Sequence, residues 1–95
     1  MERTESVIYR LETTAAFDRS FKKLDRHVQT MIKKWIDDKL VGCCNPRIYG
    51  KALSANMSGY WRYRIGDYRL ICSIQDDKCL VLALAIGHRR EVYKR

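Results

Sequence analysis

The period of apolar positions changes twice along the chain. In SVIYRLE (6–12), Val7, Tyr9 and Leu11 alternate with polar or mixed neighbours, the two-residue period of a strand. Phe17, Phe21 and Leu24 then recur at i, i+4 and i+7, one face of a helix over 15–24 that Thr13 or Thr14 can cap. Asp25 introduces a second helix with an apolar stripe of Val28, Ile32, Trp35 and Ile36; Met31 lies beside it, Lys33, Lys34 and Lys39 lie away from it, and Gly42 ends it. GCCNPRIYGKALSANMSG (42–59), with the single proline, predicts a long connecting loop. Three strands follow at 60–65, 68–75 and 79–87, joined by Gly66-Asp67 and by Asp76-Asp77-Lys78. The expected fold is α+β in the order β-α-α-β-β-β, a small antiparallel sheet with two helices packed on one face, forming one domain over residues 1–95.

Side chains alternate across a strand, so the turns decide which residues share a face. A two-residue loop at 66–67 pairs 65 with 68, 64 with 69 and 62 with 71. Arg62, Arg64 and Arg69 then fall together, and Trp61, Tyr63, Ile65, Tyr68, Leu70, Cys72 and Ile74 turn the other way, toward the helices. A three-residue loop at 76–78 pairs 75 with 79 and 71 with 83. That register adds Leu80, Leu82, Leu84 and Ile86 to the core and continues the arginine face through 83, 85, 87 and Arg89. A two-residue connection would set four large aliphatics beside the arginines, so the three-residue register is preferred.

Charge gives this face a meaning. Nineteen Lys and Arg against eleven Asp and Glu leave a formal charge of +8, which favours a polyanionic partner, while 46% hydrophobic residues argue against disorder. Clustered guanidinium groups repel one another, yet each is shaped for two-pronged phosphate contact. Tyr93 and Tyr60 offer rings on which unpaired bases can stack. The cysteines at 43, 44, 72 and 79 form no CxxC pair and, with His27 and His88, no zinc pattern; they read as free thiols of a reducing cytosol and as small core residues. The N-terminus lacks the apolar stretch of a signal peptide, and no segment approaches a membrane span, so a cytoplasmic protein without membrane contact is expected.

YWRYRIGDYRLICSIQDDKCLVLALAIGHRREVY (60–93) resembles the RelE/ParE superfamily of toxins. Its members carry a [Y/W]-[K/R]-x-[K/R] strand followed by [Y/H]-R-[L/I], and close on G-[H/K]-R and a tyrosine. GKAL (50–53) stands where such proteins often have a G-K-P/R-L-type loop. The resemblance is strong from 49 to 93 and points to the RelE-like branch, hence to the RelE-like microbial RNase fold. It implies the toxin of a type II toxin–antitoxin system, a ribosome-dependent endoribonuclease that inhibits translation by cutting messenger RNA. The ribose 2′-hydroxyl attacks the adjacent phosphate, leaving a 2′,3′-cyclic phosphate and a 5′-hydroxyl, with no metal or cofactor. The alternative is a ParE-like poison that binds DNA gyrase and cuts no RNA.

Carried over by motif, Arg62, Arg64, Arg69, Arg89 and Tyr93 form the catalytic set, joined by His88, with Lys51, Arg90 and Tyr60 as RNA contacts. RelE has lysines at the positions of Arg62 and Arg64. An arginine does not give up its proton in a protein, so it can stabilise phosphate charge but is a poor general base. His88, Lys51 and Tyr93 are the three candidates for that role. The resemblance also implies a RelB-like antitoxin whose acidic C-terminal segment folds on the toxin, with the ribosome and messenger RNA as further partners and operator DNA reached only through the antitoxin.

Overall fold

A computed structural model describes residues 8–54 and 58–88. β1 (Arg10–Thr13) leads into α1 (Ala15–Lys22), and α2 (Arg26–Lys39) follows after a short break. Thr14 makes the first junction: its hydroxyl accepts from the Phe17 amide at 3.1 Å, capping α1, and donates to the Ala83 carbonyl at 3.0 Å, fixing the helix start to the sheet. Such a cap is worth about 1 kcal/mol. The apolar stripes read from the sequence are the buried ones: Phe17 from α1 and Val28, Ile32 and Ile36 from α2, with Leu40 at its end, pack on Tyr63, Ile65, Leu70 and Cys72.

The remaining strands are β2 (Gly50–Ala52), β3 (Trp61–Ile65), β4 (Tyr68–Gln75) and β5 (Leu80–His88), in the sheet order β1-β5-β4-β3-β2. Two helices packed on one sheet confirm the α+β class, but the sheet is mixed rather than purely antiparallel, because β1 pairs with β5 in parallel. Apolar alternation carries no strand direction, and the two-helix crossover sets it. A fifth strand lies within the expected loop: Pro46–Tyr49 forms a 3-10 turn, and β2 pairs antiparallel with β3. Three residues are too few for a period to register. Of the expected first strand, residues 6 and 7 lie outside the described residues.

The β3–β4 hairpin has the expected register, Ile65 opposite Tyr68 and Arg64 opposite Arg69. Gly66 at φ +60° with no positive φ at Asp67 is the backbone of a type II′ turn. The next connection departs from expectation. Asp76–Lys78 forms a 3-10 turn and Cys79 adopts φ +49°, ψ +50°, so Gln75 pairs with Leu80, not with Cys79. One added residue reverses the faces at the start of β5: Val81 and Ala83 enter the core, and Leu80 and Leu82 turn to the other face. A bulge opposite Ile71/Cys72 absorbs Leu84 and restores the expected faces for Ala85, Ile86 and Gly87. The assignment of Leu80, Leu82 and Leu84 to the helix-covered core is thereby corrected, while that of Ile86 stands. All four thiols are free; Cys72 is buried, but Cys44 is exposed rather than a core residue.

Candidate active site

Antiparallel pairing lines up one face of four strands. Lys51 of β2 lies opposite Arg62 of β3, Arg62 opposite Ile71 of β4, and Arg64 opposite Arg69, which in turn lies opposite Gly87 of β5. Directly opposed residues stand about 5 Å apart at Cβ, and like charges so placed destabilise a sheet. Four cations therefore gather where folding gains nothing from them. Gly87 itself contributes no side chain opposite Arg69.

The face is not uniformly open. Lys51 and Arg64 are exposed and Arg62 half-buried, whereas Arg69 is 6% and Ile71 2% exposed. Burial deepens from the β2–β3 edge toward β4, the central strand. Arg69 donates to the Tyr68 carbonyl at 3.3 Å. The Nε of Arg62 is buried without a hydrogen-bond partner among the described residues, as is the Trp61 indole Nε1. At the open edge, Ile48, Tyr49, Gly50, Lys51, Arg62 and Arg64 line a cleft of about 300 Å³.

The other expected residues divide. Tyr60 is exposed and extends the β2–β3 ladder by accepting at its carbonyl from the Leu53 amide at 3.0 Å. Its position has the parity of Arg62 and Arg64. His88 pairs with Tyr68, and the two rings meet edge to face at 5.7 Å between centroids. β5 runs regularly through His88, so its side chain belongs to the helix-covered face and not to the arginine face. Arg89, Arg90 and Tyr93 lie outside the described residues.

The segment before β2, part of the expected long connecting loop, positions the cleft. Arg47 grips Asp76 with both terminal guanidinium nitrogens, Nη1 and Nη2, at 3.0 and 2.9 Å, and stands 5.7 Å from the Trp61 ring centroid. The Tyr9 hydroxyl donates to the same carboxylate at 2.6 Å. The Arg47 and Tyr9 hydrogen bonds hold the Asp76 carboxyl below its ordinary range, and the bond to Asp76 pushes the Tyr9 hydroxyl above its own. Tyr63 donates to the Pro46 carbonyl at 2.7 Å, and burial raises its hydroxyl well above the usual value. Gly50 is required by close approach: a Cβ there would run into the Arg62 carbonyl oxygen and come within 2.7 Å of the Trp61 ring. A lone Gly in GKAL was the available signal. Among the described residues no group of three His, Cys, Asp or Glu stands close enough to hold a metal ion.

The family described as the ParE toxin of the type II toxin–antitoxin system, parDE, matches residues 11–93. The chain belongs to the RelE/ParE family of type II toxins. It is similar to Toxin YoeB of Synechocystis sp., 32% identical over 75 residues that span 78% of this chain and 83% of that protein. It is also similar to Toxin RelG of Mycobacterium tuberculosis, 36% identical over 50 residues, 53% of this chain and 58% of that one. The fold of this family member superposes on a chain of the M. tuberculosis toxin–antitoxin complex RelBE2 with TM-score 0.78 and 26% identity, covering 94% of this chain and 100% of that chain. It superposes on the isolated E. coli RelE toxin with TM-score 0.67 and 26% identity, covering 90% of each.

Proposed function

We propose that this toxin is a ribosome-dependent endoribonuclease that cuts messenger RNA without a metal ion. The observation that carries the reading is the direct opposition of Arg64 and Arg69 on the face shared with Arg62 and Lys51. The substrate's own 2′-hydroxyl attacks the adjacent phosphorus, the bond to the 5′-oxygen breaks, and a 2′,3′-cyclic phosphate and a 5′-hydroxyl remain. The protein must hold the extra negative charge of the pentacovalent phosphate, remove one proton and supply another. Arg64 and Arg69 suit the first task, with Arg62 adding a donor; Arg89 keeps the phosphate-binding role and Tyr93 the stacking or proton-transfer role that the family motif gives them. Among the described candidates for the base, Lys51 shares the arginine face and His88 does not. Lys51 is therefore preferred, with Tyr93 the alternative.

The similarity to chains in toxin–antitoxin complexes supports a RelB-like antitoxin as partner, its acidic segment drawn by the charge of +8, with operator DNA reached through it. A cytoplasmic site of action accords with a ribosomal target, and no helix among the described residues is long and apolar enough to cross a membrane.

The ParE in the family description keeps gyrase as the second reading. Mapping messenger RNA 5′ ends in cells expressing the protein, beside a gyrase supercoiling assay, separates the two. New 5′ ends within ribosome-occupied codons are expected, with supercoiling untouched. Inhibited supercoiling without new ends would establish the gyrase reading instead.

A further inference from the structure

Two large apolar side chains, Ile48 at 63% and Tyr49 at 41% exposure, stand side by side on the wall of the cleft that Lys51, Arg62 and Arg64 charge. Single exposed apolar residues are ordinary, but an adjacent pair lining a cationic cleft is not. Neither belongs to the buried core cluster. Their backbone is also fixed rather than loose. Pro46 is held by Tyr63, Arg47 is clamped on Asp76, and the Tyr49 ring meets Trp35 edge-on at 6.4 Å with the Lys39 ammonium 5.4 Å from its centroid. An apolar surface held in place loses little entropy when something docks on it.

The chemistry of the cleft narrows the occupant. None of its six lining residues is acidic, and three of them, Lys51, Arg62 and Arg64, are cationic. A ligand that fits must present an anion to Lys51, Arg62 and Arg64 and, beside it, an uncharged apolar surface to Ile48 and Tyr49. A free phosphate or an acidic side chain would satisfy the cations and leave the wall wet. A nucleotide satisfies both, and about 300 Å³ lies at the lower end of small-ligand clefts, enough for one base and its sugar. Arg64 lies both in the cleft and opposite Arg69, so the cleft continues the surface on which the scissile phosphate is proposed to lie.

We infer that Ile48 and Tyr49 form a base-docking wall that holds one nucleotide of single-stranded RNA beside the scissile phosphate, its own phosphate lying on Lys51, Arg62 and Arg64. The inference rests on the nuclease reading for its choice of RNA as ligand. It adds a contact with a base, and so a source of sequence preference, at the residues two and three positions before Lys51.

Fluorescence anisotropy with short single-stranded RNAs tests it. Methylating every ribose 2′-oxygen blocks cleavage, and one abasic nucleotide is placed at each position in turn. For the wild-type protein, removing one particular base should weaken binding about fivefold or more, the scale of a single base–aromatic contact. Ile48→Ser, at a side chain the core does not use, should keep the wild-type melting temperature, lower the affinity for the intact RNA to that of the abasic one, and leave the abasic affinity and the salt slope unchanged. Equal weakening of both probes, no effect on either, or weakened competition by an acidic peptide with RNA affinity intact would each overturn the inference. Failure of the wild-type protein to bind either probe would overturn the inference and leave the nuclease reading to the cleavage assay on ribosomes. The expected binding pattern without any cleavage on ribosomes would contradict the nuclease reading alone, and cleavage without a base effect would contradict this inference alone.

Discussion

Asp76 shows how much one side chain can organise in a small protein. Placed in the turn between β4 and β5, it accepts from Arg47 twice and from Tyr9 once, tying the start of β1 and the turn before β2 to one carboxylate. The network has a window in pH. The lowered Asp76 pKa contributes stability above the unfolded value near 3.9, and that contribution is lost as pH falls through the folded value. The raised Tyr9 pKa works from the other side: its contribution is present below about pH 10 and is lost as pH rises through the folded value. Asp76→Asn should therefore melt below the wild type at pH 7, and the difference should narrow as the pH is lowered past 4. Melting curves that stay parallel down to pH 3 would contradict this. In sequence, Asp76 was only one acid in a polar turn. Nothing local to QDDK indicates that an arginine twenty-nine positions earlier comes to meet it.

At the scale of elements, the candidate site depends on one hairpin and one short edge strand. The hairpin was legible: Gly66-Asp67 fixed the loop length, loop length fixed the register, and the register put Arg62, Arg64 and Arg69 together. The edge strand was not, because three residues show no period. Register failed at β5 for a related reason. A non-glycine residue at positive φ, Cys79, has no signature in sequence, and it lengthened the connection by one. The bulge near Ile71/Cys72 then cancelled the error, so the far end of β5 faces as expected although its beginning does not. The correction matters for chemistry, since regular strand through His88 turns that ring toward Tyr68. Gly50→Ala tests the edge strand. The added methyl forces β2 from β3 or displaces Trp61, which should destabilise the fold by about 1–3 kcal/mol, the usual cost of overpacking. Urea unfolding measures that loss. RNA affinity should fall with it, since Lys51 and the cleft wall move with the strand; unchanged stability and affinity would show that β2 does not need the close contact.

For the whole molecule, a charge of +8 is resolved into a place. Lys51, Arg62, Arg64 and Arg69 stand on the face turned away from α1 and α2, open at the β2–β3 edge and closed toward β4. The sequence alone could assign the three arginines to that face and the apolar stripes to the core, because both follow from short-range periodicity. It could not assign the parallel pairing of β1 with β5 or the cleft at the edge, which arise from contacts between distant segments. The central claim is that this face cuts RNA on the ribosome. The direct measurement uses purified ribosomes carrying a defined messenger RNA, with products resolved by length and end chemistry. The wild-type toxin should leave a 2′,3′-cyclic phosphate and a 5′-hydroxyl within the codon awaiting decoding. Arg64→Ala, at an exposed position, should melt like the wild type and cut about a hundredfold more slowly, the loss typical for removing one donor to transition-state charge. An intact message, or an Arg64→Ala protein that cuts at the wild-type rate, would contradict the account.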